Sequence, residues 1–352
     1  MRHPYLLVLV PIVLAATSVP VLPGAWRAVD AVAGRDDPEA VAAYRLARTT
    51  PSEYEAAISA ALADDDAELA ASTLELARSR DVEISPSLSA DVERTMEDRG
   101  GLDIGSGWDG FLTGDARSEE ALAGAVVADM TGFGDIRDLF QQARIYGESG
   151  EYDRITVGLA AAGLALTVST YIAIGTGFPA RAGVSIVKAA RRAGRLSPRL
   201  IEHTGSMAKR VVDQAAFREI SVALRHYAPG NALKIAKSKL VRPKVLGEFR
   251  SLGENIYAVG ANTGYRGTLQ MLEVADDADD IRRIARASRT MGTKTRGALA
   301  LLGAGAFSLA SVAVSVSLWI LSGLLWIFIA LFWVVGCIRW LLGRLWPRRT
   351  AA

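Results

Sequence analysis

Cysteine and histidine are almost absent from this sequence, which holds one cysteine and three histidines in 352 residues. The single Cys337 cannot form a disulfide within the chain. His203 and His226 lie far apart and have no cysteine or carboxylate neighbours at metal-ligand spacing. We therefore predict no metal site, no bound cofactor and no catalytic residue, and the protein is expected not to be an enzyme.

Two short strings that resemble ligand sites also fail on context. Residues 105–110 match the G-x-G-x-x-G pattern, but no apolar strand precedes them, as dinucleotide binding requires. Asp64, Asp65 and Asp66 are consecutive, so their side chains point in different directions, and no EF-hand spacing follows. We interpret the first string as a joint and the second as a solvated loop between two helices.

Lysine is missing from residues 24–156, where 28 acidic residues stand against 12 arginines. Residues 178–296 reverse this balance, with 23 lysines and arginines against 10 acidic residues. Such asymmetry between halves indicates contact with a membrane or with nucleic acid. Because an apolar segment separates the two regions, we favour the membrane and consider nucleic acid an unlikely partner.

Uncharged apolar segments are long enough to predict about four transmembrane helices. The first, Tyr5 to Leu22, follows Arg2 and fits either a signal anchor or a cleaved signal peptide spanning residues 1–23. The second, Ile155 to Phe178, is long enough to cross a bilayer. The alternative for this second segment is a buried helix of a soluble core.

The second segment also carries small residues at a strict spacing of four. Such a stripe lets helix backbones approach closely in lipid, so we predict that it packs on another helix or a second copy. The residues of this helix-packing stripe are Ala161, Ala165, Ser169, Ala173 and Gly177.

The uncharged run from Gly297 to Ile338 would make a helix about twice as long as the bilayer core is thick. We therefore predict a transmembrane hairpin over residues 297–342, turning near Ser322-Gly323, with residues 343–352 as a basic tail. The alternative is one spanning helix from about Leu318, preceded by a buried or interfacial segment.

Positive residues flanking membrane segments face the cytoplasm, and this rule sets the predicted topology. An acidic helical domain, residues 24–154, is expected outside the inner membrane of a bacterium. A basic and mainly helical domain, residues 179–296, is expected inside, as are the N and C termini. A short strand at residues 256–259 is possible in the inner domain.

The basic domain opens with a helix over residues 182–195 that is expected to lie on anionic headgroups at the cytoplasmic face. Helix starts are predicted at Thr50-Pro51-Ser52-Glu53, a capping box, and at Ser85-Pro86 and Ser197-Pro198. The residues expected to contact the membrane surface are Lys188, Arg191, Arg192 and Arg195.

The block over residues 128–139, which contains Gly134-Asp135-Ile136-Arg137-Asp138, and the block over residues 180–192 resemble a group of uncharacterised bacterial inner-membrane proteins. The resemblance spans roughly residues 52–289. The Gly-Asp-Ile-x-Asp string is also similar to a joint in the pre-toxin segments of polymorphic toxins. This chain departs from those toxins because it ends in an apolar segment, and neither resemblance implies an activity.

Taken together, the sequence predicts an all-α inner-membrane scaffold that binds a protein partner or a second copy. The absence of ionisable residues from the apolar segments counts against an ion-coupled transporter. The alternative function is a pore or channel that uses the C-terminal hairpin, in which one arm is rich in glycine and serine.

Overall fold

The computed structural model describes residues 5–33, 37–98, 132–172, 177–303, 305–308 and 313–345. Within these ranges the chain is helical and forms no strand, apart from one isolated bridge between Val212 and Val241. The prediction of an all-α protein is confirmed. The possible strand at residues 256–259 is wrong, because these residues are helical.

The helices, in chain order, are α1 (Tyr5–Ala33), α2 (Pro38–Leu46), α3 (Pro51–Ala63), α4 (Ala67–Arg78), α5 (Pro86–Asp98), α6 (Phe133–Ser149), α7 (Arg154–Ile172), α8 (Phe178–Arg192), α9 (Pro198–Val211), α10 (Gln214–Arg225), α11 (Pro229–Ser238), α12 (Pro243–Val274, kinked at Gly264), α13 (Ala278–Met291), α14 (Lys294–Leu302) and α15 (Ala313–Leu345). They fall into two compact units. The terminal unit comprises Met1–Arg48 and Ser308–Ala352, and the central unit comprises Thr49–Phe307.

Local sequence sets where several helices of the central unit begin. The predicted capping box at the start of α3 is present: Thr50 N–H donates to Glu53 Oε2 at 2.6 Å. Asp66 caps α4 by accepting from Leu69 N–H at 3.0 Å, so the three aspartates do separate two helices. Proline occupies the first position of α3, α5 and α9, where its missing N–H costs nothing.

Helix α7 lies inside the central unit, packed against α6, α8, α9 and α11. A helix that is apolar on all sides belongs in a protein core or in lipid, and here other helices surround it. The prediction that residues 155–178 cross a membrane is therefore wrong for residues 155–172, the part of the segment that α7 covers, and the core-helix alternative fits that part. Its buried side chains are Val157, Leu159, Ala160, Ala161, Ala162, Leu164 and Leu166.

The terminal unit is built on the antiparallel pair α1 and α15. Gly24 of α1 lies against the ring of Trp319, where a Cβ would overlap the indole. Farther along the pair, the Trp326 indole N–H donates to the Leu14 carbonyl at 3.3 Å and the Thr17 hydroxyl at 3.2 Å. Positions therefore descend in α1 as they ascend in α15, so the helices run in opposite directions.

Among the described residues, one helix is long and apolar enough to span a membrane, namely Ala313–Arg339 within α15. A second span exists if the two parts of α1 count as one; they meet at an angle of 48° around position 20, where Pro20 removes a helical hydrogen bond. The prediction of about four transmembrane helices is therefore wrong.

The predicted C-terminal hairpin is also wrong, because α15 continues without a break through Ser322 and Gly323. Gly323 serves the packing of the pair instead of a turn: a Cβ there would lie 2.6 Å from that of Ala25. The alternative of a single spanning helix in this part of the chain fits the structure better.

The acidic and basic regions do not form separate domains. Arg296, from the basic region, is 4% exposed and reaches Asp66 at 2.5 Å and Glu68 at 3.1 Å in the acidic region. Lys188 likewise reaches Asp135 at 2.6 Å. Groups in direct contact lie on one side of a bilayer, so the predicted placement of the two regions on opposite sides is wrong.

Candidate functional site

The surface of α15 is the first feature with functional consequence. Only 6% of its most apolar window is buried, and Leu321, Phe328 and Phe332 expose 63%, 68% and 76% of their area. A soluble protein rarely leaves a contiguous apolar surface of this extent in water. Since 27 helical residues span about 40 Å, the helix matches the thickness of a bilayer.

Tryptophans recur every seven residues along α15, at Trp319, Trp326, Trp333 and Trp340. A repeat of seven keeps one face of a helix turned toward a neighbouring helix, and Trp319 and Trp326 do contact α1. Gly24 and Thr17, the contacted positions of α1, are also seven apart. This periodicity was the sequence signal for the α1–α15 pair, which the hairpin prediction overlooked.

A second feature is a buried ion-pair network between α6 and α8. The Asp135 carboxylate of α6 is 1% exposed and accepts from Lys188 Nζ at 2.6 Å and from Arg181 Nη2 at 3.3 Å. Arg181 also donates to the Gly163 carbonyl of α7 at 2.7 Å. The network thus joins three helices through charged groups that are each at least nine-tenths buried.

Glycine at position 163 is what lets α7 approach the network. A Cβ there would lie 2.5 Å from Asp135 Oδ2. The Thr167 hydroxyl donates to the same carbonyl as Arg181, at 2.8 Å. The carbonyl of Gly163 is therefore a fixed acceptor that orients the Arg181 guanidinium toward Asp135.

Asp138 extends the network by one turn of α6. It accepts from Lys188 Nζ at 3.2 Å and from Arg192 Nη2 at 2.5 Å. Burial alone would raise the pKa of Asp138, but Lys188, Arg137 and Arg192 outweigh it and hold the pKa below its ordinary value. A carboxyl with a depressed folded-state pKa adds stability above its unfolded pKa, which is lost as the pH falls through the folded value.

Both carboxylates of the network, Asp135 and Asp138, are paired with cations from α8. Lys188 Nζ bridges the carboxylates of Asp135 and Asp138, and this pattern fixes α8 on α6. In the described part of the chain, no group of three or more histidine, cysteine, aspartate or glutamate side chains could hold a metal ion. Asp135 and Arg181 were not singled out as site residues. The sequence signal for them was a pair of carboxylates, Asp135 and Asp138, three positions apart before α7. A pair of cations, Arg181 and Lys188, lies seven positions apart after that helix.

The four residues predicted to lie on the membrane surface all have carboxylate partners, and Lys188 is 4% exposed. Arg195 follows the end of α8, to which the other three belong, and α8 is buried at every position from Ala180 to Ala190. It is therefore a core helix of the central unit and not an interfacial helix. The partners are Asp135 and Asp138 for Lys188, Asp153 for Arg191, Asp138 for Arg192 and Glu273 for Arg195.

The predicted small-residue stripe is divided by the structure. Ala161 is fully buried and Ala165 partly buried in α7. The side chain of Ser169 and all of Ala173 lie outside the described residues, as does the string at residues 105–110. Gly177 precedes α8 as its N-cap. Of the described members, Ala161 and Ala165 thus belong to α7 and Gly177 does not. Another small residue of α7, Gly158, packs closely on Ala208.

No protein-family model, no curated protein and no solved structure matches the chain.

Proposed function

We propose that the protein is an integral membrane scaffold, held in the bilayer by α15 together with α1, whose central unit binds a partner. The observation that carries this proposal is the exposure of α15, an apolar helix of spanning length with 6% of its window buried. Lipid contact is the environment in which such a surface is stable. An inner-membrane location and a protein or second-copy partner remain part of the proposal.

The antiparallel pair favours one side of the membrane for the whole central unit. If α1 and α15 both span, the chain between them leaves and re-enters at the same face. The ion pairs that join the acidic and basic regions support this arrangement, because neither could form across a bilayer.

Two exposed aromatic residues support partner binding by the central unit. Tyr227 is 94% exposed and adopts a φ of 54°, a left-handed conformation that is unfavourable for a tyrosine. Phe133 is 78% exposed at the start of α6. Aromatic side chains are enriched at protein–protein interfaces relative to the rest of a protein surface. The pore alternative has lost its support, since the turn of the hairpin on which it depended, near Ser322-Gly323, lies within the continuous helix α15.

Arginine substitutions in α15 and α7 should have opposite consequences. Phe328→Arg places a charge in the lipid-facing middle of α15 and is expected to cost about 2.5–3.5 kcal/mol of insertion free energy. We expect alkaline extraction to release more of this variant from membranes, while the central unit keeps its resistance to limited proteolysis.

Leu166→Arg is the matched control, because Leu166 is 2% exposed inside the central unit. This change should make the central unit sensitive to protease and leave the extracted fraction unchanged. Release of the Leu166→Arg protein from membranes, with Phe328→Arg behaving like the wild type, would show that α7 and not α15 is the membrane segment.

Cysteine labelling in intact cells tests the one-sided arrangement. With Cys337 replaced by serine, single cysteines at Asp65 and at Arg242 should show equal accessibility to a membrane-impermeant reagent. Labelling of both cysteines would place the central unit outside the cytoplasm, which agrees with the prediction that the N and C termini are cytoplasmic. Protection of both cysteines would reverse that orientation. Labelling of one alone would contradict the proposal that the central unit lies on one side.

A further inference from the structure

A cavity of about 280 Å³ lies on the α1–α15 pair near the end where α15 begins. Its apolar lining is formed by Val19, Pro23 and Gly24 of α1 and by Trp319 of α15, whose ring lies against Gly24. Trp319 is six positions from the first residue of the span, about 9 Å along the helix. The cavity therefore sits where a bilayer would pass from acyl chains to headgroups.

Two arginines, Arg27 and Arg48, complete the lining of this cavity together with Tyr44. Arg48 donates to the Ser315 hydroxyl at 2.6 Å and to the Tyr44 hydroxyl at 2.8 Å, and its guanidinium lies 4.8 Å from the Tyr44 ring centre. Neutral partners leave its charge uncompensated. Over the described residues, neither arginine has a carboxylate within ion-pair distance. The cavity is thus a site of positive charge.

A second cavity, of about 420 Å³, continues along the same pair toward the middle of the span. It is lined almost entirely by apolar side chains, including Val13, Leu14, Leu325 and Ile329. Ser322, which also lines it, is one helical turn beyond Trp319 of the first cavity. A cationic cavity and an apolar cavity therefore follow each other along one helix pair.

We propose that this pair of cavities binds one anionic phospholipid, with its phosphate on Arg27 and Arg48 and an acyl chain in the apolar cavity. The guanidinium group matches phosphate oxygens in charge and in hydrogen-bond geometry. Basic cavities between membrane helices bind lipid headgroups in this way. The adjoining apolar cavity favours a lipid over a free phosphate. The inference rests on the proposed membrane location of α1 and α15.

The test is lipid retention by the full-length protein in detergent, measured by native mass spectrometry with phosphatidylglycerol or phosphatidylcholine added at equal concentration. The wild type should retain phosphatidylglycerol preferentially. Arg27→Gln should lower this retention about fivefold, and Arg27→Gln with Arg48→Gln about twenty-fivefold, as removal of each cationic contact implies. Arg27 has no described hydrogen-bond or ion-pair partner, so its replacement tests the site without disturbing a contact that holds the fold.

The control is Arg218→Gln with Lys234→Gln, which removes the same charge from α10 and α11 and should leave retention unchanged. Equal retention by the wild type and the Arg27 and Arg48 variants would overturn the proposal. Displacement of the lipid by equimolar inorganic phosphate would overturn it too, by showing a site for a free anion. Alkaline extraction of the wild type separates the two proposals: a protein that stays in membranes without lipid preference refutes only the lipid site, whereas a released protein refutes membrane insertion.

Discussion

Lys188→Met is expected to destabilise the central unit by about 3–5 kcal/mol, the usual cost of removing one partner from a buried ion pair. Methionine fills nearly the same volume, so the cost comes from charge and not from a cavity. Asp135, 1% exposed, would lose its partner at 2.6 Å, and Asp138 would lose one at 3.2 Å. Denaturant unfolding of the purified full-length protein, followed by circular dichroism, measures the change.

Arg191→Met, on the same helix, is the control. Arg191 is 25% exposed and pairs with Asp153, which is 38% exposed, at 2.8 Å. Water screens this pair, so its loss should cost no more than about 1 kcal/mol. If the two variants lost equal stability, the buried network would be no more important to the fold than a surface ion pair.

Gly253→Ala is expected to destabilise the central unit by about 3 kcal/mol, at the upper end of the range for overpacking. Helices α8 and α12 cross at Gly183 and Gly253. A Cβ on Gly253 would overlap the Ala180 carbonyl oxygen, and one on Gly183 would overlap the Gly253 carbonyl oxygen. Because these obstacles are backbone atoms, no side chain can move aside and the two helices must separate. Thermal unfolding of the full-length protein reports the loss.

Gly247→Ala, near the start of the same helix, should have the opposite sign. A Cβ there meets nothing within 4 Å, and alanine favours a helix over glycine by about 1 kcal/mol. A melting temperature that rises for Gly247→Ala and falls for Gly253→Ala would confirm the helix crossing. Equal changes in both would mean that α8 and α12 do not approach so closely.

Helix boundaries were the part of the fold most accessible to sequence. The capping box at Thr50, the prolines that open α3, α5 and α9, and the aspartates before α4 act through bonds within one turn. Such interactions need no distant partner, so the local sequence is enough to predict them. The helical class follows from the same kind of local information.

The candidate site was harder to predict from the sequence. Lys188 was recognised as a notable cation, but its position beside a membrane was wrong because its partners lie about 50 positions earlier, at Asp135 and Asp138. The cavity lined by Arg27 and Arg48 forms only because α1, α2 and α15 lie close together, and no local sequence pattern predicts that contact.

By itself, the sequence determined an all-helical chain with apolar segments long enough to be hidden from water. The sequence could not determine whether protein or lipid covers each apolar segment. Both α7 and α15 are uncharged over most of their length, yet α7 is enclosed by neighbouring helices while α15 remains exposed. The hydrophobic effect favours removal of either from water and does not distinguish protein from lipid as the destination. Only the tertiary structure, through contacts such as Gly163 with Arg181 and Asp135, decided that α7 belongs to a core.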